Sequence, residues 1–180
     1  KILFQHDGSL GHYYIRLGKC RAFQSLGHEV VMWDSRQKSI YDALDSFQAD
    51  ILLTQSYNIT PAMIQCIKDR PYLRVVCKTS EWGFRTKEIT SKYTTLPATQ
   101  QEIDLLLDLK RTTNQPEFCV VHHHPHWLKD THSYWIEAGF PVISCMNGAD
   151  IFEYTNGQYK EKYSCDITMV GGSWKNKNIK

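Results

Sequence analysis

Five histidines crowd one short stretch of the chain: His122, His123, His124, His126 and His132. Imidazoles ligate metals, hydrogen-bond polar substrates and carry protons near neutral pH. A zinc site takes three or four ligands, and two histidines on one helix face stand four residues apart. Here three are consecutive and Pro125 interrupts the run. Consecutive side chains point in different directions, so few can share one ion. Two readings stay open. His122 and His124 face a cleft and bind a polar substrate, or the run only caps the start of a helix. A small metal-binding protein built on His122 to His126 is a further alternative.

Two other stretches carry groups suited to a ligand. His6, Asp7, Gly8, Ser9, Leu10, Gly11 and His12 follow an apolar run and precede a helical period. Glycines let backbone approach a ligand, and a helix N-terminus favours phosphate. The stretch is not the dinucleotide GxGxxG, because the glycines after Gly8 are Gly11 and Gly18. Asp34 falls roughly where a ribose-binding carboxylate would stand. A plain strand-to-helix turn explains the same residues. The second stretch is KTSEWGFRTKE at 78–88, with Glu81, Trp82 and Arg85. Tryptophan offers an apolar face that suits a sugar ring, and neighbouring charges suit hydroxyls. Glu81 has the chemistry of a general base, although no partner that would tune it is visible. A surface loop pinned by a buried tryptophan is the alternative. The chain has no GxSxG elbow and no P-loop.

These stretches need elements to hold them. Short apolar runs at 2–5, 28–33, 50–54, 73–77, 118–121 and 140–144 read as strands. Helical spacing covers 12–26, 37–48, 61–69, 99–112 and 125–138. Thr60 and Pro61 make an N-cap followed by an N1 proline, and Gly27 closes the first helix. Residues 78–98 read as a long loop. The strands are continuously apolar, so both faces should be covered. The expectation is a doubly wound, mostly parallel Rossmann-like α/β sheet with helices on both faces. Ligands in such sheets bind outside the carboxyl ends of the strands, where all three stretches fall.

The chain has 180 residues, 42% hydrophobic, 22% charged and 12% aromatic, which fits a globular domain and excludes disorder. A net charge of +2 gives no basic face for nucleic acid. No apolar run is long enough for a transmembrane helix. The opening residues lack the apolar stretch of a signal peptide. Six cysteines lie far apart with no CxxC pair. They read as small buried residues in a reducing compartment, so the expected location is cytoplasmic.

HDGSLGHYYIRLGKCRAFQSLGHEVVMWD at 6–34 resembles the opening of GT-B glycosyltransferases, with a glycine loop, a helix and an LGHEV strand start. FPVISCMNGADIFEY at 140–154 resembles the segment that ends their N-terminal domain. CDITMVGGSW at 165–174 resembles the first strand and glycine turn of their C-terminal domain. Within that fold the likeness is to the CgeB-like (spore-maturation type) family. The resemblance implies an acceptor-side domain over 1–146 and a hinge over 147–164. Residues 165–180 would then begin a donor-binding domain that this chain does not contain. It implies a metal-independent enzyme, without cofactor, that moves sugar from a nucleotide sugar to a glycan, protein or small-molecule acceptor. By position, Gly8, Ser9 and Gly11 match the loop near the donor, with His12 beside them as the catalytic candidate. Asn147 and Asp150 match the hinge, and Gly171, Gly172 and Ser173 match the donor-phosphate turn. Retaining members often have a histidine after the third strand, where this chain reads TQSYN with Gln55 and Ser56. The 180 residues alone are expected to be inactive. A non-catalytic flavodoxin-like binding module is the alternative from another class.

Overall fold

The computed structural model describes residues 1–6, 8, 10–79, 100–121, 124–145 and 161. Six strands form one sheet: β1 (Ile2–His6), β2 (Val30–Asp34), β3 (Ile51–Gln55), β4 (Arg74–Lys78), β5 (Phe118–Val121) and β6 (Val142–Ser144). Their spatial order is β2-β1-β3-β4-β5-β6, and every neighbouring pair is parallel. The helices are α1 (Leu10–Ser25), α2 (Ile40–Phe47), α3 (Pro61–Lys68), α4 (Gln100–Thr113), α5 (Leu128–Thr131) and α6 (Ser133–Glu137). This is the Rossmann-like doubly wound architecture.

Local chemistry sets the element ends. Thr60 Oγ1 accepts from Met63 N at 3.2 Å, and Pro61 follows where its missing N–H costs nothing. Ser39 caps α2 in the same way through Asp42 N. Gly27 takes φ +88° just past α1, a conformation that costs glycine little. Helix α1 starts at Leu10, two residues before the sequence places it, so Gly11 and His12 lie inside its first turn. The single helix expected over 125–138 is instead a 3₁₀ turn (Pro125–Trp127) followed by the short helices α5 and α6. His124 Nδ1 accepts from His126 N at 3.2 Å and caps that turn.

Handedness decides which face each helix covers. Parallel crossovers are right-handed, and only the step from β1 to β2 runs toward the β2 edge. Helix α1 therefore packs on one face and the other crossovers on the opposite face. The core lies on that opposite face. Leu3, Leu52, Val75, Cys77 and Cys119 of the sheet meet Leu44 of α2, Ile67 of α3, Leu106 of α4 and Trp135 of α6. Each such side chain contributes about 1.5–3 kcal/mol relative to exposure. The α1 face is different. Its helical spacing suggests Tyr13, Ile15 and Leu26 as core, yet these are exposed, and the buried residues of α1 include Arg16 and Cys20.

Four cysteines, Cys20, Cys66, Cys77 and Cys119, are buried free thiols, whereas Cys145 is exposed. Burial pushes the Cys20 thiol up to about 11. Cys77 pairs in register with Cys119, and their hydrogen bond together with burial holds its thiol well above the ordinary range. Thiolates are the reactive form. Brief alkylation of the native chain at pH 8 should therefore label Cys145 and spare these four until denaturant is added. Peptide mapping reads the outcome, and rapid native labelling of Cys77 would contradict the packing.

Candidate functional site

Strand order reverses between β1 and β3, because the chain leaves β1 for β2 on one side and leaves β3 for β4 on the other. A crevice opens at the carboxyl ends of strands at such a switch point. The residues there are His6 at the end of β1 and Gly8 after it, and Gln55 at the end of β3 with Ser56 and Asn58 after it. Thr79 follows β4, and its N–H donates to Val120 O at 3.1 Å.

The β1–α1 turn is tightly built. Gly8 takes φ +74°, and its N–H donates to His6 Nδ1 at 3.1 Å. The Tyr13 ring meets the His6 ring edge-on at 5.9 Å. A Cβ on Gly8 would stand 1.8 Å from the Arg36 guanidinium carbon. Arg36 therefore lies directly over the glycine. It is fixed from below by Asp34, with Nε to Oδ1 at 3.1 Å and Nη2 to Oδ2 at 2.9 Å. The Arg36 N–H and Gln37 Nε2 also donate to that carboxylate, each at 3.0 Å. Asp34 lies beside His6 in register. Its oxygens are spent on holding Arg36, which explains an acidic residue here without a ribose.

The Arg36 hydrogen bonds hold the Asp34 carboxyl well below the usual carboxylate range. A folded-state pKa below the unfolded value of about 3.9 stabilises the fold above pH ~4. That contribution disappears as pH falls through the folded pKa. Asp34→Asn should flatten the stability loss below pH ~4, as read by urea unfolding at a series of pH values. An identical acid limb in both proteins would rule the pair out as a source of pH dependence.

At the carboxyl ends of β3 and β4 lie polar atoms in need of partners. Gln55 Oε1, Ser56 Oγ and Thr79 Oγ1 are buried and make no hydrogen bond, and Asn58 Nδ2 is likewise unpaired. Gln55 is 4% exposed, and Ser56 and Thr79 are each 1% exposed. Leaving a buried polar group unpaired costs about 1–3 kcal/mol. Neighbouring polar groups are satisfied: Thr54 Oγ1 donates to Gln5 Oε1, and Val75 N donates to Gln115 Oε1 at 3.0 Å. Four such atoms fall at or just past the ends of β3 and β4. Hydroxyl-bearing ligands both donate and accept, and would satisfy these atoms.

No family model, curated protein or solved structure matches the chain.

The sequence-based candidates divide as follows. Gly8 stands at the switch point, and Gly11 and His12 belong to the first turn of α1. His124 is exposed and caps the 3₁₀ turn. Ser9, Glu81, Trp82, His122, Asn147, Asp150, Gly171, Gly172 and Ser173 lie outside the described residues. So does Cys165. His132 is fully buried in the protein interior, away from solvent. Among the described residues, no three His, Cys, Asp or Glu side chains gather into a metal-binding group. No described helix is long and apolar enough to cross a membrane. Sequence reasoning missed Arg36, Asn58 and Thr79. Arg36 was findable as the cation two residues after Asp34 at a strand end. Nothing local distinguishes Asn58 or Thr79 from other loop residues.

Proposed function

We propose that these residues form the acceptor-side domain of a GT-B glycosyltransferase of the CgeB-like type. In the longer chain this implies, sugar passes from a nucleotide sugar to an acceptor hydroxyl. One observation carries the reading: Gln55 and Ser56, buried with unpaired side-chain oxygens, end β3, the strand that pairs with β1 ahead of the Gly8 turn. A sugar's hydroxyls are the complement of such atoms. The motif order from HDGSLGH to VGGSW supports it from the sequence.

In this reading the Gly8 turn brings backbone close to the transferred group. The free N–H groups of the first turn of α1 face developing negative charge. His12, in that turn, stands nearest the reacting centre. Gln55, Ser56 and Thr79 hold acceptor hydroxyls. The test uses the native protein purified at its full length. Nucleotide sugars are supplied singly, and nucleotide release is measured by chromatography. The expected result is turnover with one donor class and a fall in kcat for His12→Ala. No release or binding with any nucleotide sugar would sink the proposal.

The strand order favours a second reading. The first five strands run 2-1-3-4-5, the order of flavodoxin-like modules, which bind their ligand at the β1/β3 switch point. Saturable mononucleotide binding without any turnover would select that module instead.

A further inference from the structure

The amino edge of the sheet, opposite the switch point, carries a cavity of its own. Helix α3 ends at Lys68 and leads into β4, and α4 ends at Thr113 and leads into β5. Both helix C-termini therefore reach the amino ends of these strands. The two connections are joined where Gln115 Oε1 accepts from Val75 N at 3.0 Å. Between the helix ends lies a cleft of about 460 Å³. That volume falls within the range of about 300–1,000 Å³ typical of small-molecule sites.

Lys68, Arg70, Lys110 and Arg111 line this cleft, and among the described residues no carboxylate does. Arg70 is engaged by Asp45 at 2.5 Å, and Lys110 donates to Gly139 O. Lys68 and Arg111 are exposed, and neither side chain makes a hydrogen bond or ion pair with a described residue. The neighbouring acids are committed elsewhere, Asp69 to Tyr41 and Gln65, and Glu117 to Arg74. Asp108, on the turn before Arg111, does not line the cleft. Cations at helix C-termini answer the dipole and are ordinary. A cleft between two such ends, with no acid in its described wall, asks for more. The wall also holds acceptors. Thr112 Oγ1 donates to Asp108 O at 2.7 Å, so what remains to it is to accept. The last carbonyls of a helix have no intrahelical donor, and two helices end here. A fitting ligand thus brings negative charge for Lys68 and Arg111 and hydroxyls for the acceptors. A carboxylate balances one cation, whereas a phosphate monoester carries up to two charges and suits the arginine fork.

We propose that this cleft binds a phosphorylated polyol. Its phosphate lies between Lys68 and Arg111, and its hydroxyls donate to Thr112 Oγ1 and to the carbonyls that end α3 and α4. The inference is independent of the transferase reading, since the cleft lies at the opposite edge of the sheet and needs no second domain.

The test titrates the full chain with sorbitol 6-phosphate, followed by amide NMR and calorimetry. The expected result is saturable one-to-one binding, with shifts at the amides of Lys68, Arg70, Arg111 and Asn114. Inorganic phosphate and gluconate should each bind about ten-fold more weakly or worse. Lys68→Gln with Arg111→Gln should weaken sorbitol 6-phosphate by about ten-fold or more, with an unchanged circular dichroism spectrum because both side chains are exposed. Lys38→Gln with Lys129→Gln removes the same charge elsewhere on the surface and should leave the affinity as it was. Thr112→Val should weaken sorbitol 6-phosphate and leave inorganic phosphate unchanged. Equal affinity for inorganic phosphate overturns the proposal, since the polyol then adds nothing. An equal loss from the Lys38 and Lys129 pair overturns it too, because attraction is then to net charge and not to the cleft. Absence of saturation, or shifts confined to other residues, equally overturns it.

Discussion

Trp135→Ala is expected to lower stability by about 3–5 kcal/mol, as for other large aromatic truncations. Trp135 is 0% exposed and, among the described residues, is the largest fully buried side chain. Its ring meets Phe140 edge-on at 5.5 Å, an arrangement that adds to area burial. It lies on α6, a helix of five residues that cannot hold itself by backbone hydrogen bonds alone. The cavity left by alanine therefore falls where the fold is least able to close over it. Domains are stable by only about 5–15 kcal/mol, so the variant should lose about a fifth or more of its margin. Each kcal/mol shifts Tm by about 2–4 °C at this size, so a drop of roughly 10–15 °C is expected. A calorimetric shift under ~3 °C would mean that Trp135 is not a keystone of the β5–β6 connection.

Gly8→Ala is expected to damage the switch point in two separable ways. A left-handed backbone conformation costs an L side chain about 1–2 kcal/mol. The new Cβ also collides with the Arg36 guanidinium, the end of a flexible side chain, which must shift from its place over the glycine. The double variant Gly8→Ala with Arg36→Ala relieves the collision but not the backbone cost. Its urea midpoint should lie between those of Gly8→Ala and the native chain, after correction for Arg36→Ala alone. If the proposed transferase activity holds, Gly8→Ala in the full-length enzyme should lower kcat/KM by about 100-fold, the effect of a misplacement near 1 Å. Native-like turnover would remove the glycine turn from the reacting centre.

These experiments probe different levels of legibility. The β1–α1 turn was visible as HDGSLGH, because glycine between an apolar run and a helical period is a local signal. Arg36 resting on that glycine was not visible, since the contact spans 28 residues and depends on β2 pairing with β1. The first helix shows the opposite failure. Its apolar spacing marks Tyr13, Ile15 and Leu26 as buried, but they are exposed while Arg16 is 2% exposed. Periodicity tells which residues share a face of a helix, not how much of the facing sheet that helix covers. Helix 125–138 breaks into three short pieces. His124 Nδ1 accepts from His126 N and caps the first of them, a side-chain bond that spacing alone does not reveal.

What the sequence determined by itself is whatever short-range chemistry decides. Continuous apolar runs marked six strands, and Thr60 with Pro61 started a helix where capping requires one. Gly27 ended another at positive φ. Alternation of these elements made a parallel α/β sheet the economical way to cover both strand faces. Tertiary structure alone decided the strand order, and with it the switch point between β1 and β3. It brought Thr54 against Gln5 across 49 residues and left Gln55, Ser56 and Thr79 buried without partners at the same edge. It also left one face of the sheet half-open while the other closed into the core. Burial and pairing are sums over residues distant in the chain, so no window of sequence contains them.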